Sequence, residues 1–246
     1  MFEKLSKFLP KIGTENKITR EKWLRKTLLS IPEGSKILDA GAGELQYKKY
    51  CNHLEYVSQD FGKYDGKGDG EGFQFGNYDN SQLDIVSDIT DIPQPDQSFD
   101  VIMCVEVLEH LTEPIKAIKE MARLLRPGGR LILTAPFNSL THFSPFFYYT
   151  GYSQNFYEYF LNEFDFNIEE IQKNGNYFEY LAQELWRLPR MVEKYSRRNY
   201  PVVILPLVLF LLLFLSWVNK KDIESNGLLC MGIMVTAIKR EIDDHS

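Results

Sequence analysis

The sequence is poor in cysteine and carries no excess of positive charge, and each shortage excludes a class of protein. Its 246 residues include three cysteines, widely spaced and without a CxxC pair. That spacing excludes a disulfide framework and a zinc knuckle, so a reducing cytosolic setting is expected. The formal net charge of −6 argues against nucleic acid as a partner. The first residues, MFEKLSKFLPKIG, lack the long apolar segment of a secretory signal.

The charge is unevenly distributed along the chain. Residues 1–30 hold eight Lys or Arg against three Glu, and residues 186–221 hold seven Lys or Arg against one Glu. The remainder is strongly acidic. Two basic segments on an acidic body predict an anionic partner surface, most simply a membrane face. Solvated helix faces are the alternative interpretation.

Strands alternate with helices along most of the chain, which predicts a parallel sheet in a doubly wound α/β fold. Ligands of such sheets bind beyond the carboxyl ends of the strands. A Gly-rich polar stretch, 61–80, is predicted to be an irregular loop. The predicted strands are 36–40, 55–60, 83–89, 98–108, 130–136, 164–175 and 228–240, and the predicted helices are 18–31, 44–54, 113–125 and 176–198.

The first strand ends in an acid followed by two glycines, Asp39, Gly41 and Gly43. Glycines permit a sharp strand-to-helix turn and a close approach of the backbone to a ligand, although plain turns use them too. A carboxylate at Asp39 would repel a pyrophosphate but suits a ligand with an ammonium group. This disfavours a nicotinamide-dependent oxidoreductase, as does the lack of a complete GxGxxG.

Two further strands also end in acids. Asp60 can accept hydrogen bonds from two ribose hydroxyls. Asp88 can hold a purine amino group while Ile89 packs on the ring. A nucleoside with a cationic amino-acid tail fits all three acids, and S-adenosylmethionine is such a molecule.

From about Lys36 to Pro136 the sequence resembles the class I S-adenosylmethionine-dependent methyltransferases, particularly the type 11 group. ILDAGAG resembles their first motif, YVSQD the second, VSDI the adenine contact, and FDVIMCVEVLEHL and LLRPGGRLILTAP the fourth- and fifth-strand motifs. The resemblance implies a seven-stranded, mostly parallel sheet whose last two strands form an antiparallel hairpin, and it implies that Val105 also contacts the cofactor. The chain departs from the family pattern at Leu45, which replaces a third glycine, and at 61–80, which replaces a helix.

The segment EVLEH carries the candidate acceptor-side residues. It places Glu106, Glu109 and His110 on one face of a helical turn. His110 is a candidate general base, with Glu106 and His142 as further catalytic candidates. Alternatively Glu106, Glu109 and His110 bind a divalent metal ion, with His142 as a fourth ligand, or the acids and His110 only cap and orient the helix.

Residues 134–160, after the fifth strand, are rich in Phe and Tyr. Aromatic walls suit an apolar, ring-shaped or sugar acceptor, and they are equally typical of a core. The polar members to test are His142, Tyr148, Tyr149 and Tyr152.

An apolar run, Pro201–Val218, interrupts the connection between the last two strands. As a helix it would span ~26 Å against a ~30 Å hydrocarbon core, with a kink at Pro206. Both flanking strands belong to one sheet, so the chain must leave and return on the same side of any membrane. Basic residues bracket the run, which predicts a monotopic anchor over 176–221; a dimerisation hairpin is the alternative. The bracketing residues are Arg197, Arg198, Lys220 and Lys221.

Together these features predict a methyltransferase domain at 1–175 and 226–246, with a helical extension at 1–31 and an anchor at 176–225. The expected function is S-adenosylmethionine-dependent methylation of a lipid, quinone or lipid-linked glycan at the cytoplasmic face of a membrane. The expected partners are S-adenosylmethionine and that acceptor. The alternative is a non-catalytic cofactor-binding or scaffold subunit of a membrane complex.

Overall fold

The computed structural model describes residues 10–196 and 201–241. Their centre is a seven-stranded sheet in the order β3-β2-β1-β4-β5-β7-β6. The first five strands pair in parallel, and β7 runs antiparallel to β5. The described residues form the strands β1 (Lys36–Ala40), β2 (Glu55–Asp60), β3 (Ile85–Val86), β4 (Phe99–Val105), β5 (Leu125–Pro136), β6 (Phe166–Asn174) and β7 (Gly232–Lys239).

The same residues form the α-helices α1 (Asn16–Leu29), α2 (Pro114–Leu124), α3 (Gln154–Glu163), α4 (Tyr177–Ser196) and α5 (Pro201–Asn219). Helix α2 begins at a proline, which suits the first turn because its missing N–H has no intrahelical partner there. The last two strands form the antiparallel hairpin implied by the family resemblance. Arg240 N–H donates to the Asp165 carbonyl at one end of the pair, and Met231 N–H donates to the Asn174 carbonyl at the other.

Two of the predicted elements differ from the structure. The helix predicted over 44–54 is wrong: after turns, the chain makes only a short 3₁₀ helix, Lys48–Tyr50. This segment joins two adjacent parallel strands through one turn of helix, and Tyr47 and Cys51 bury their side chains in the core. The third strand is only two residues long, because just Ile85 and Val86 pair with β2.

The chain divides into two compact units, Met1–Lys22 with Lys173–Met231, and Trp23–Gln172 with Gly232–Ser246. We call the second the sheet unit. One hydrophobic cluster of its core joins the sheet to the helix that precedes β1. Twelve buried residues form the cluster: Trp23, Leu24, Leu28, Ile31, Ile37, Tyr47, Cys51, Val101, Met103, Val105, Ile132 and Met234.

The other unit contains the predicted insertion, folded as a helical hairpin of α4 and α5. The inner face of α5, Val208, Leu212 and Leu215, is buried against α4. These residues recur at helical spacing, as expected for a packed stripe. Helix α5 continues through Pro206. No helix among the residues that the structure describes is both long and apolar enough to cross a membrane. Arg197 and Arg198, predicted to flank the apolar run, lie outside the described residues.

Candidate active site

The turn after β1 has left-handed backbone at three alternate residues, Gly41, Gly43 and Leu45, with φ of 82°, 51° and 57°. An added Cβ at Gly41 would lie 2.4 Å from Val107 Cγ2. The turn therefore needs glycine for close packing as well as for conformation. Leu45, at the position of the family's third glycine, has left-handed backbone although it is not glycine, at a cost of about 1 kcal/mol.

Asp39 lies at the end of β1 with its carboxylate buried. The Tyr56 hydroxyl donates to Asp39 Oδ2 at 2.6 Å. Burial raises the pKa of Asp39 to about 7; the Tyr56 hydrogen bond opposes the rise, and the charge of Asp60 adds to it. A cation next to this carboxylate would favour its charged form.

Asp60, at the end of β2, is also buried and holds two loops. Its Oδ2 accepts from Gly43 N–H at 3.1 Å and its Oδ1 accepts from Gly62 N–H at 2.9 Å. Burial raises the pKa of Asp60, and the backbone donors oppose the rise. Two buried carboxylates therefore lie at the ends of adjacent strands, beside a turn of left-handed backbone.

The raised pKa of Asp39 predicts a pH-dependent stability. The folded chain holds this proton up to about pH 7, whereas the unfolded chain releases it near its ordinary pKa of 3.8. The folded state then binds more protons in that window, so this group's contribution to stability falls as pH rises through it. The Asn side chain of Asp39→Asn does not titrate, so this variant does not lose the stability that wild type loses. The unfolding free energy of the variant minus that of wild type should therefore increase by on the order of 4 kcal/mol between pH 4 and pH 8. Urea unfolding across this range measures it, and a constant difference would contradict the raised pKa.

The structure places the remaining predicted cofactor contacts at the same edge of the sheet. Val105 and Ile89 are buried. Asp88 is exposed, and its Oδ1 accepts from the N–H and the hydroxyl of Thr90. The carboxylate is thus held by a local turn, and its contact with an adenine stays a prediction.

Tyr78, from the Gly-rich segment, was not predicted as a site residue. A Cβ added at Gly43 would lie 2.1 Å from the Tyr78 hydroxyl oxygen, so this hydroxyl rests against the turn. Burial raises the pKa of Tyr78 above its ordinary value, and Asp60 and Glu44 add to the rise. The aromatic content of segment 61–80 is visible in the sequence, but no pattern in it indicates that Tyr78 returns to the end of the first strand.

This contact predicts a specific coupling between Gly43 and Tyr78. Gly43→Ala should lower the unfolding free energy by about 2–4 kcal/mol, since it combines left-handed strain with a clash. Gly70→Ala is the matched control, because Gly70 has φ of 83° and open space where the Cβ would lie. Adding Tyr78→Phe to Gly43→Ala should restore about 1 kcal/mol or more by removing the clashing oxygen. Urea unfolding of wild type, Gly43→Ala, Tyr78→Phe, the double variant and the Gly70→Ala control tests this, and strictly additive effects of the two single changes would contradict the contact.

Segments 61–80 and 137–153 join to form one layer, which we call the cover. Phe73 N–H donates to the Thr141 carbonyl, and Phe143 N–H donates back to the Phe73 carbonyl. The Ser144 hydroxyl donates to Asp69 at 2.7 Å. Phe143 lies at the centre of a ring cluster with Tyr64, Phe75, Tyr78, His110 and His142. Residues 61–80, all of which are described, form no helix, as predicted.

The cover brings His142 to the turn after β4. The His142 Nε2 lies 3.9 Å from Glu109 Oε1, and the His110 Nε2 lies 3.8 Å from the same oxygen. Glu109 is fully buried. Burial lowers the pKa of His110 to about 4, His142 lowers it as well, and the hydrogen bond to the Phe146 carbonyl opposes the shift.

The predicted grouping of Glu106 with Glu109 and His110 on one helical face is wrong. Glu106 has φ of 56° and precedes a 3₁₀ turn at Leu108–His110. Its carboxylate instead accepts from the Thr134 hydroxyl at 2.9 Å. The left-handed residue turns the backbone before the helical turn starts, so the i, i+3, i+4 relation does not apply to Glu106.

Among the tyrosines of segment 134–160, Tyr152 is buried, and its hydroxyl donates to the Leu108 carbonyl at 2.7 Å. It is therefore a core residue. Tyr148 and Tyr149 remain exposed, so the aromatic segment contributes both to the core and to the surface.

Known proteins resemble the chain in both sequence and fold. Residues 38–133 match the family model described as "Methyltransferase domain". The chain is 47% identical over 47 residues to the 27-O-demethylrifamycin SV methyltransferase of Amycolatopsis mediterranei, covering 19% of this chain and 17% of that protein. It is 51% identical over 37 residues to the ubiquinone biosynthesis O-methyltransferase of Xanthomonas oryzae pv. oryzae, covering 15% and 16%. The solved structure of the (4+2)-cyclase SpnF superposes with a TM-score of 0.52 at 17% identity, over 88% of this chain and 80% of that one.

The family match confirms the resemblance predicted from the sequence, that of residues 38–133 to the class I S-adenosylmethionine-dependent methyltransferases. S-adenosylmethionine is the cofactor of this class. The matched segments span about a sixth of each of these two curated relatives. The likeness to SpnF shows the fold alone, and SpnF is named a cyclase, so the fold by itself does not define the reaction.

Proposed function

We propose that the chain is an S-adenosylmethionine-dependent methyltransferase that works at the cytoplasmic face of a membrane, on a lipid-, quinone- or lipid-linked-glycan-type acceptor. The observation that carries the enzymatic part is the pair of buried carboxylates, Asp39 and Asp60, beside the turn at Gly41 and Gly43.

The acceptor groups at this edge of the sheet fit the cofactor. Asp39 offers a buried carboxylate to the ammonium group of the methionine part, and Asp60 offers one to the ribose hydroxyls. The left-handed turn between them lets the backbone approach closely. Ile89 and Val105 supply apolar surface for the ring. When bound, S-adenosylmethionine supplies an electrophilic methyl group on a sulfonium.

The acceptor side belongs to the cover. Methyl transfer requires that the acceptor atom be held close to the methyl group, in line with the bond that breaks, and that water be excluded. Phe143 and Phe147 lie next to the His110 and His142 rings. This combination of aromatic surface and imidazoles suits a ring-bearing or apolar acceptor. The name of the ubiquinone biosynthesis relative supports a quinone-type acceptor.

The membrane part of the proposal is supported by the outer face of α5. Its inner face packs on α4, yet six further large apolar side chains of the same helix are exposed. Contiguous apolar surface of this kind typically marks a membrane or protein contact. The six are Leu205, Leu207, Phe210, Leu213, Phe214 and Trp217.

The ends of the hairpin also suit a membrane surface. Lys221 lies over the Trp217 ring, with Nζ 4.7 Å from the ring centroid. A Trp with adjacent Lys is a common arrangement at the headgroup level. Since β6 and β7 pair in one sheet, the chain must enter and leave a membrane on the same side. We therefore propose that the hairpin is a monotopic anchor and that the acceptor resides in the same membrane.

The experiment uses the full chain in detergent micelles. Labelled S-adenosylmethionine is incubated with membrane lipid extract, demethylated quinone precursors or lipid-linked glycans, and S-adenosylhomocysteine formation and label transfer are measured. The proposal is supported if label is transferred to one of these acceptor classes and if this transfer is lost when Asp60 is replaced. In parallel, flotation with liposomes tests the membrane contact; a chain that stays at the bottom of the gradient and elutes as a dimer would overturn it.

A second candidate function is a non-catalytic subunit of a membrane complex. The Tyr78 hydroxyl against Gly43 favours it, because it lies on the turn that a cofactor must approach. Binding of S-adenosylhomocysteine without transfer to any of the three acceptor classes would place this candidate first.

A further inference from the structure

We infer that Glu109, His110 and His142 form a binding site for one divalent transition-metal ion of the Zn²⁺ type. The inference does not depend on methyl transfer. It rests on the geometry of these three side chains and on the hydrogen bonds that orient the two imidazoles.

The three side chains converge on one point. One ligand atom from each lies within 4.8 Å of the other two, with both His Nε2 atoms less than 4 Å from Glu109 Oε1. Zn²⁺ binds such donors at about 2.0–2.2 Å, which places the donors about 3.4 Å apart around a tetrahedral ion. A contraction of an ångström or so would complete the site, and His142 lies outside the named helices and strands.

Main-chain carbonyls fix the orientation of both imidazoles. His110 Nδ1 lies 2.6 Å from the Phe146 carbonyl oxygen, and His142 Nδ1 lies 2.9 Å from the Leu140 carbonyl oxygen. A carbonyl only accepts, so each Nδ1 carries the proton and each Nε2 presents a lone pair. Metal-binding histidines characteristically donate their other ring N–H to a carbonyl or carboxylate in this way.

The donor types select the class of metal. Two imidazoles and one carboxylate form the ligand set of many zinc sites that keep a position open for water or substrate. Mg²⁺ and Ca²⁺ prefer oxygen ligands, so they fit this set poorly. The site is reached from outside, because the His142 and His110 side chains keep 20% and 14% of their surface exposed while Glu109 keeps none.

The ion would connect the cover to the sheet unit's core. Glu109 and His110 belong to the turn after β4, and His142 belongs to the cover. Since Phe143, the next residue, hydrogen-bonds to Phe73, a metal bond to His142 also restrains segment 61–80. Metal binding should therefore protect both segments of the cover.

The test measures metal content of the full chain directly. Chelator-treated protein is dialysed against Zn²⁺ and analysed by mass spectrometry, and Co²⁺ loading is followed by visible absorption. Wild type should hold about one ion per chain. His142→Ala and Glu109→Gln should each weaken binding by more than about 100-fold, because loss of a ligand exceeds the 10–100-fold effect of losing an orienting partner. Circular dichroism verifies that the variants are folded.

Two matched controls sharpen the assignment. His53→Ala removes an imidazole remote from the cluster, and Glu106→Gln alters the adjacent carboxylate that bonds to Thr134; both should keep the ion. In addition, Zn²⁺ should slow tryptic cleavage after Lys63 and Lys67 in wild type, relative to cleavage after Lys220, and not in His142→Ala. A wild type without metal, a His142→Ala that binds it equally, or equal loss in Glu106→Gln would each overturn the ligand set.

Discussion

Asp60→Ala should reduce the affinity of the full-length chain for S-adenosylhomocysteine by about 100-fold or more. Hydrogen bonds to a charged group contribute about 1.5–3 kcal/mol each, and each 1.4 kcal/mol is tenfold in the dissociation constant. Asp60 accepts from Gly43 N–H and Gly62 N–H, so the substitution removes the proposed ribose acceptor and also releases both loops that it holds.

The matched control for this loss is Asp100→Ala. Asp100 Oδ2 accepts from Lys36 N–H at 2.8 Å, so it also fixes main chain through a carboxylate, but at the start of β1 rather than its end. Calorimetric titration with S-adenosylhomocysteine should show unchanged affinity for this variant. If Asp60→Ala binds as tightly as wild type, the ribose contact is elsewhere, and if wild type itself does not bind, the scaffold interpretation replaces the enzyme.

Replacing three outer-face residues of α5 with Gln, at Phe210, Leu213 and Trp217, should lower vesicle binding by about 100-fold. These side chains are 64%, 58% and 57% exposed. Burying the exposed part of each side chain in lipid would contribute about 1 kcal/mol to binding. The inner face of the helix is left intact, and the hairpin should therefore stay folded.

The matched control is the same replacement at Leu29, Ile115 and Tyr159, three exposed apolar residues of the sheet unit. This variant should float with phosphatidylcholine vesicles as wild type does. Changing Lys220 and Lys221 to Gln should weaken binding only when the vesicles contain anionic lipid, by about 1 kcal/mol per charge. Equal flotation of the outer-face variant and wild type would be incompatible with insertion of this face.

The sheet could be predicted because its signals are local. Apolar runs that end in an acid mark Lys36–Ala40 and Glu55–Asp60, and the hydrophobic periodicity of 113–125 marks a helix. Among the described residues, the helix predicted over 44–54 is absent because of tertiary packing. The residues of this segment favour a helix, but Tyr47 and Cys51 pack in the core and the chain makes only one helical turn.

The candidate site could be predicted only in part. The acids at strand ends follow from topology, since parallel strands end at one edge. The predicted position of Glu106 on a helical face is wrong because Glu106 has left-handed backbone. A left-handed residue other than glycine cannot be recognised from the sequence pattern. The contact of Tyr78 with Gly43, and that of His142 with Glu109, join residues more than thirty positions apart through an irregular segment, which no periodicity encodes.

The cover has a consequence for the order of events in a catalytic cycle. Its two segments share main-chain hydrogen bonds and one aromatic cluster, so neither can open far without the other. Tyr78 of one segment rests against the turn at Gly43, on the proposed cofactor side, and His142 of the other lies beside Glu109, on the proposed acceptor side. Entry of one substrate and departure of the other's product would therefore share a single gate, and the two sites would fill in sequence rather than at random.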